Sequence, residues 1–342
     1  MLAGRSGTEF IAYLRPGSIP PGETDNWTGI ERLRWATVPK WTMQWRGAKD
    51  RLDLYHGTNF RLHTTGRHGG VVTIHDLWLE RFPQYSTKVL GQWLSSYKTK
   101  RLARRARKII TVSEFSASEL SALYGISRER IAVIHNGVSE EWRPRHDPSA
   151  MAALGKKIGL PAKPFILFVG GADPRKNHKT FLHAAALVRK QLAGRTLLLV
   201  GSPVHRFGSY EATAKSLGLL DQVCCPGRLS VEELTLLYSF TDLFVFPSLY
   251  EGFGMPVLEA MACGAPVLTS KTTALCEVAG DAAMLIDPEN AQEIGEAMVK
   301  VLKNEALRGH LKDKGSQRIK QFTWVQAAAD TLDLYRQLCH LA

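Results

Sequence analysis

The chain has no apolar run long enough to span a bilayer, and its opening stretch, Met1 to Gly7, lacks the profile of a signal peptide. Its five cysteines (Cys224, Cys225, Cys263, Cys276 and Cys339) form no Cys-x-x-Cys pair and no metal-ligand spacing. That points to a reduced, cytosolic setting. Without a secretory signal, the sequon Asn26-Trp27-Thr28 reads as chance. Acid is also in short supply: 32 Asp and Glu face 44 Lys and Arg, for a net charge of +12. The imbalance implies an acidic partner, whether nucleotide phosphates, an anionic membrane surface or nucleic acid, and composition does not choose among them. The remaining numbers, 342 residues with 44% hydrophobic and 22% charged content, are those of a soluble, globular, two-domain protein.

What is present is organised around residues 242–268. Asp242 to Phe246 is an apolar run stopped by Pro247, the profile of a buried parallel strand. Glu251-Gly252-Phe253-Gly254 is a tight loop, and Pro256 suits the first turn of a helix because its missing amide is an orphan there. Met255 to Ala262 reads as that helix, stopped by Gly264 and Pro266, after which Val267 and Leu268 open the next strand. A Gly-rich loop feeding a helix offers free amides and a positive dipole end to an anion. Glu251 lies in the loop, and Glu259 lies one turn beyond Met255, about 6 Å further along the axis. Amides for a diphosphate, flanked by carboxylates for sugar hydroxyls, describe a nucleotide-sugar pocket. The plain alternative is a surface loop with two solvated glutamates.

Upstream, Phe10 to Leu14, Leu33 to Pro39, Leu52 to His56, Val71 to His75, Lys108 to Ser113 and Ile131 to Ile134 read as strands. Trp41 to Arg51, Gln84 to Ala106 and Ser116 to Tyr124 read as helices. Such alternation predicts a parallel sheet with ligands at the strands' carboxyl ends. His75 ends an apolar strand, so it is either a core or capping histidine or a cleft-facing imidazole. Asp76 either orients that ring or caps the next segment. His56 lines an acceptor side or is structural. Between Lys88 and Lys108 stand eight basic residues and no acid, with Val89, Leu90, Trp93, Leu94 and Tyr97 at helical spacing beside them. This is a docked helix with a solvated basic face or a patch for anionic lipid; no recognition motif accompanies it for nucleic acid. Asn136-Gly137 is a turn, and Arg143 to Pro148 reads as linker.

In the second half, Pro164 to Val169 is a buried strand, followed by Gly170, Gly171, Arg175, Lys176 and a helix from His178 to about Leu192. Two cations beside a helix N-terminus oppose its dipole unless an anion sits between them, and they suit a leaving diphosphate. Strands follow at Thr196 to Gly201, Asp221 to Cys225 and Ala283 to Ile286, with helices from Ala291 and Ala306. Ser230 and Glu233 have the spacing of a capping box. Phe322 to Trp324 opens an amphipathic closing helix that runs to Leu341.

Glu251-x7-Glu259, enclosing Gly252-Phe253-Gly254-Met255-Pro256, is similar to the signature of the retaining glycosyltransferases of family four, also called group one. The resemblance covers nearly the whole chain and is strongest from Val71 to Glu259. It implies an α/β, GT-B architecture of two Rossmann-like doubly wound domains facing a cleft. Residues 1–145 would form the acceptor-side domain and 146–322 the nucleotide-sugar domain, with 323–342 crossing back onto the first. It implies that Glu251 touches the donor sugar, Glu259 the ribose, His75 the transferred sugar, and Gly170, Gly171, Arg175 and Lys176 the phosphates. Gly227, Arg228 and Leu229 would meet the base. Arg175-Lys176-Asn177 and His75-Asp76-Leu77 most resemble a mannosyltransferase-rich branch, so mannose from GDP-mannose is the expected donor and a glycan or lipid-linked acceptor the expected partner. No nucleic-acid partner is expected. The setting would be the cytoplasm or the inner face of the plasma membrane. No Asp-x-Asp occurs, and metal-dependent enzymes of the other major fold use that motif, so transfer without metal or other cofactor is expected. Family members open with a strand and a glycine loop for which no counterpart precedes Phe10, and a truncated start is the expectation. An epimerase or phosphorylase on the same scaffold and a paralogue that only binds are the alternatives.

Overall fold

A computed structural model of the chain describes residues 8–14, 32–85, 89–205 and 208–340; the sequon at Asn26 and the basic residue Lys88 lie outside them. The chain divides into two compact units. Met1–Val112, Ser116–Gly137 and Trp324–Ala342 make the first, and Ser113–Phe115 with Val138–Thr323 the second.

The chain begins with β1 (Phe10–Leu14), β2 (Leu33–Thr37), α1 (Met43–Lys49), β3 (Tyr55–Gly57), β4 (Gly70–Thr73), α2 (Trp78–Arg81), α3 (Val89–Arg105), β5 (Lys108–Thr111), α4 (Glu114–Tyr124) and β6 (Ile131–Val133). It continues through α5 (Pro148–Ile158), β7 (Phe165–Val169), α6 (His178–Leu187), β8 (Thr196–Val200), the short pair β9 (Val204–His205) and β10 (Gly208–Ser209), α7 (Tyr210–Ser216), β11 (Val223–Gly227) and α8 (Val231–Phe240). Then come β12 (Leu243–Phe246), α9 (Met255–Ala262), β13 (Val267–Ser270), α10 (Thr273–Ala279), β14 (Met284–Ile286), α11 (Ala291–Lys303), α12 (Glu305–Arg318) and α13 (Trp324–His340).

In the first unit β3, β4, β5 and β6 form a parallel sheet in that order. Side chains alternate across it, as the period of two requires. Val72, Ile74 and Ile109 pack with Ala103 and Ala106 beside α3 and with Ala117 and Leu120 of α4. Val71 and Ile110 pack against Leu334 and Leu338 of α13. β1 and β2 pair in parallel as a separate two-stranded sheet, and a cavity of about 990 Å³ is lined by β1 on one side and residues 50–59 around β3 on the other.

The second unit is a six-stranded parallel sheet in the order β11-β8-β7-β12-β13-β14. Ile166, Phe168, Leu199 and Val245 point to the face covered by α6, α7 and α11, where Phe181, Tyr210 and Met298 complete the core. Phe244 points the other way and meets Tyr238 of α8 edge to face at 5.1 Å. Covered on both faces, these strands read as continuous apolar runs rather than as alternation.

Some boundaries differ from the sequence expectation. The strands expected at Leu52–His56 and Val71–His75 are Tyr55–Gly57 and Gly70–Thr73, which leaves His75 in the loop beyond β4. The expected linker at Arg143–Pro148 runs into α5: Asp147 caps Ala150 N, Pro148 occupies the first turn and Gly159 closes the helix at φ 69°. The helix expected over Gln84–Ala106 is preceded by a separate α2 and a 3₁₀ turn at Pro83–Tyr85. The helices α7 and α10, seven residues each, are too short for periodicity to announce. Among the described residues no helix is long and apolar enough to cross a membrane.

Candidate active site

The chain passes from β7 to β8 on one side of the sheet and from β12 to β13 on the other, although β7 and β12 are neighbours. Loops leaving the carboxyl ends of such a pair diverge and open a crevice, the usual ligand position in an open α/β sheet. Gly170, Gly171, Arg175 and Lys176 follow β7, and Glu251 to Pro256 follow β12. The fold therefore brings two motifs some 75 residues apart to one place.

After β7 the chain turns through a short 3₁₀ element, Pro174–Lys176, where Asp173 Oδ1 accepts from Arg175 N at 2.9 Å. The two cations thus stand on their own turn ahead of α6, not in its first turn. Asn177, at φ 61°, redirects the chain into the helix. Its Nδ2 donates to the carbonyls of Pro247 (3.0 Å) and Pro288 (2.6 Å), tying this turn to the end of β12. The Leu249 amide donates to the Arg175 carbonyl at 2.8 Å.

At the centre, Lys176 Nζ lies 2.6 Å from Glu251 Oε1, with the two side chains only 14% and 9% exposed. Ser248 Oγ lies 2.7 Å from the same carboxylate oxygen. The ammonium also sits 4.9 Å over the Phe246 ring, a cation–π position. Its stem runs over Gly170, where an added Cβ would stand 3.0 Å from Lys176 Cγ. Both bonds fall on Oε1, so Oε2 is the oxygen these two partners leave for another donor.

Gly254 caps α9 at φ 108°, and a Cβ there would lie 2.6 Å from Leu275 Cδ2. Pro256 follows in the first turn and contributes no amide, and Val257 N donates to the Gly254 carbonyl at 3.0 Å, so the Met255 amide is the first-turn donor without an intrahelical acceptor. The Phe253 side chain is buried edge to face against Phe322 at 5.7 Å, so only its main chain serves the loop. Glu259, one turn along α9, receives the Tyr238 hydroxyl at 3.5 Å. Burial pushes its carboxyl up to about 7, while that hydroxyl and the Lys176 charge pull it back and Glu141 adds to the rise.

Arg228 and Leu229 follow β11, two strands from β7. Gly201 N donates to the Gly227 carbonyl at 2.8 Å, and Gly227 adopts φ 87°. The capping box is formed, Ser230 N to Glu233 Oε2 at 2.8 Å and Glu233 N to Ser230 Oγ at 3.3 Å. Arg228 is exposed and Leu229 half-buried.

In the first unit, His75 Nε2 lies 3.1 Å from the Thr58 carbonyl and the ring rests on Phe60 at 5.9 Å. A carbonyl only accepts, so Nε2 carries the proton and Nδ1 is the basic atom of the neutral ring. Asp76 Oδ1 accepts from Trp78 N at 3.1 Å and so caps the following segment. His56 Nδ1 meets Tyr335 Oη at 2.5 Å and Nε2 meets Thr73 Oγ1 at 2.7 Å. Desolvation, then the nearby His75, holds its pKa down to about 4.

Sequence reasoning missed Asp173, Asn177, Ser248, Thr58, Tyr238 and Tyr335 as shapers of these sites. Asn177 and Ser248, small polar residues at strand or turn ends, carried a local signal; Tyr335 carried none.

Residues 153–318 match the family model for glycosyl transferases group 1, and residues 5–142 that for glycosyltransferase family 4. The O-antigen chain mannosyltransferase B of Escherichia coli is 31% identical over 296 residues, 83% of this chain and 74% of that protein. The serotype-specific mannosyltransferase WbdA of Escherichia coli is 34% identical over 238 residues, 68% of this chain but only 29% of its own length. Among solved structures, Anabaena Alr3699/HepE in complex with UDP-glucose superposes with a TM-score of 0.72 at 17% identity, covering 96% of this chain and all (100%) of that one; at that identity the likeness concerns the fold. With both halves matched and a relative covered over most of its length, the chain belongs to the group 1, family 4 glycosyltransferases, enzymes of the GT-B fold.

Proposed function

We propose that this glycosyltransferase moves mannose from GDP-mannose to a glycan or lipid-linked acceptor in cell-envelope polysaccharide synthesis, on the cytoplasmic side, with retention and without a metal ion. The observation that carries the reading is the buried Lys176–Glu251 pair at the β7/β12 switch point, beside Arg175 and the N-terminus of α9. A cation held in a desolvated position beside a helix N-terminus suits a leaving diphosphate, whose charge grows as the glycosidic bond breaks. Arg175 binds phosphate oxygens through its fork and Lys176 as a point charge. Glu251 Oε2 accepts from sugar hydroxyls, and Glu259 accepts from the ribose. His75 approaches the sugar through Nδ1, and Arg228 and Leu229 border the base. The mannosyl choice is supported by the name of the Escherichia coli O-antigen relative, and the donor class by the UDP-glucose complex of the Anabaena protein.

The test is a panel of nucleotide-sugars screened for thermal stabilisation, since a ligand of the native state raises stability by mass action. GDP-mannose is expected to stabilise most, followed by transfer to acceptor in the presence of a chelator. Strongest stabilisation by a different nucleotide would overturn the donor assignment; chelator-sensitive transfer would overturn the metal-free route.

A further inference from the structure

The basic residues around α3 fall into two structural sets. Lys100 Nζ donates to the Leu123 carbonyl (3.1 Å), Arg104 to Tyr124 O (3.4 Å) and Arg107 to His68 O (2.6 Å), and Lys108 reaches the Glu129 carbonyl. These four close the ends of neighbouring elements. Lys98, Arg101 and Arg105 differ: all three are exposed, and none has a hydrogen bond or ion pair among the described residues. Spaced i, i+3, i+7, they share one face of the helix. That face borders a cavity of about 470 Å³ whose opposite wall is the loop His63-Thr64-Thr65. Among the described residues no acidic side chain lines it.

The loop wall is held in place. Leu62 lies against Gly70, where a Cβ would come within 2.6 Å of its Cδ1, and Thr64 lies against Gly47, where a Cβ would come within 2.8 Å of its Cγ2. The dipole at the helix C-terminus helps to explain Arg105 but not Lys98 or Arg101, which are further back. We infer that this pocket binds a phosphate group. Two guanidinium forks and an ammonium supply charge, and the threonine hydroxyls supply neutral donors, a set matched to tetrahedral oxyanions.

The pocket is distinct from the donor site. The Arg107 amide bonds to the Gly70 carbonyl and its guanidinium to His68, so the end of α3 lies beside the amino ends of β4 and β5. His75 follows the carboxyl end of β4. A phosphate here belongs to a second ligand, either a free phosphate compound or a phospholipid headgroup, and the inference stands independently of the donor assignment.

The experiment titrates the full chain carrying Arg175→Ala, which weakens the proposed donor grip, with inorganic pyrophosphate by calorimetry. Adding Arg101→Gln and Arg105→Gln should weaken binding on the order of tenfold, the loss of two charge-assisted forks. Lys312→Gln with Lys320→Gln removes the same charge from exposed positions elsewhere and should leave binding unchanged. Glutamine is a good helix former, and unchanged melting curves check that the fold is intact. Sedimentation with phosphatidylcholine vesicles containing phosphatidic acid separates the sources. Vesicle binding that the arginine pair abolishes and pyrophosphate competes away assigns a lipid headgroup; pyrophosphate binding without sedimentation assigns a free phosphate. If neither probe responds more to the arginine pair than to the lysine pair, the pocket is not a phosphate site.

Discussion

Lys176 and Glu251 meet through Nζ and Oε1 at 2.6 Å in a nearly dry position, so each side chain is the other's counter-charge. Breaking such a pair from one side leaves an uncompensated buried charge. Lys176→Ala should therefore destabilise the protein by about 3 kcal/mol and remove transfer. Glu251→Gln keeps the shape and should lower kcat on the order of 10²- to 10³-fold with a smaller loss of stability. Urea denaturation beside steady-state kinetics checks both; full activity in either variant would remove the pair from the mechanism.

Glu259 has its carboxyl raised to about 7 by burial. As an acceptor for two ribose hydroxyls it must be ionised, so nucleotide affinity should rise as pH increases through 7 and level off above it. Binding near neutrality should release protons, seen as a dependence of the calorimetric enthalpy on the buffer. Glu259→Gln should bind more weakly and lose the pH dependence.

His56 is depressed from 6.5 to about 4. The folded state holds this proton less tightly than the unfolded chain, so the associated stability is complete above pH 6.5 and is lost as pH falls towards 4. The loss amounts to no more than about 3.4 kcal/mol at 1.36 kcal/mol per unit, less where solvent reaches the ring. Urea midpoints measured from pH 7 to 4.5 should fall more steeply for the natural protein than for His56→Gln.

Glycine substitutions separate two cases. A Cβ on Gly201 would lie 1.7 Å from the Gly170 carbonyl oxygen, main chain that cannot swing aside, at φ 135°. Gly201→Ala should fail to give soluble folded protein or lose several degrees in Tm. Gly309 lies exposed within α12 with nothing within 4 Å of an added Cβ, so Gly309→Ala should stabilise by up to about 1 kcal/mol. Thermal melts of both variants decide the matter.

Much of the fold is legible along the chain. Buried strands of the second unit show as apolar runs ended by Pro or Gly, and α9 occupies Met255–Ala262 as the Gly-Pro punctuation dictates. The Ser230–Glu233 cap is local and forms as its spacing requires. The start of α5 was less visible because Asp147-Pro148 closes a stretch that also has the composition of a linker, and turn chemistry serves both uses. α7 and α10 span under two turns each and show no period.

The sequence by itself determined the alternation of strands and helices, the Gly-rich turn that opens α9, and the Glu251–Glu259 motif, because each depends on neighbours a few residues away. Only the tertiary structure decided that Lys176 neutralises Glu251, that His56 is held neutral against Tyr335 279 residues distant, and that three of the cations in and just after α3 face a pocket while four bond carbonyls. Those outcomes depend on which strands the sheet makes adjacent and on what burial removes from water, and neither is written in local spacing.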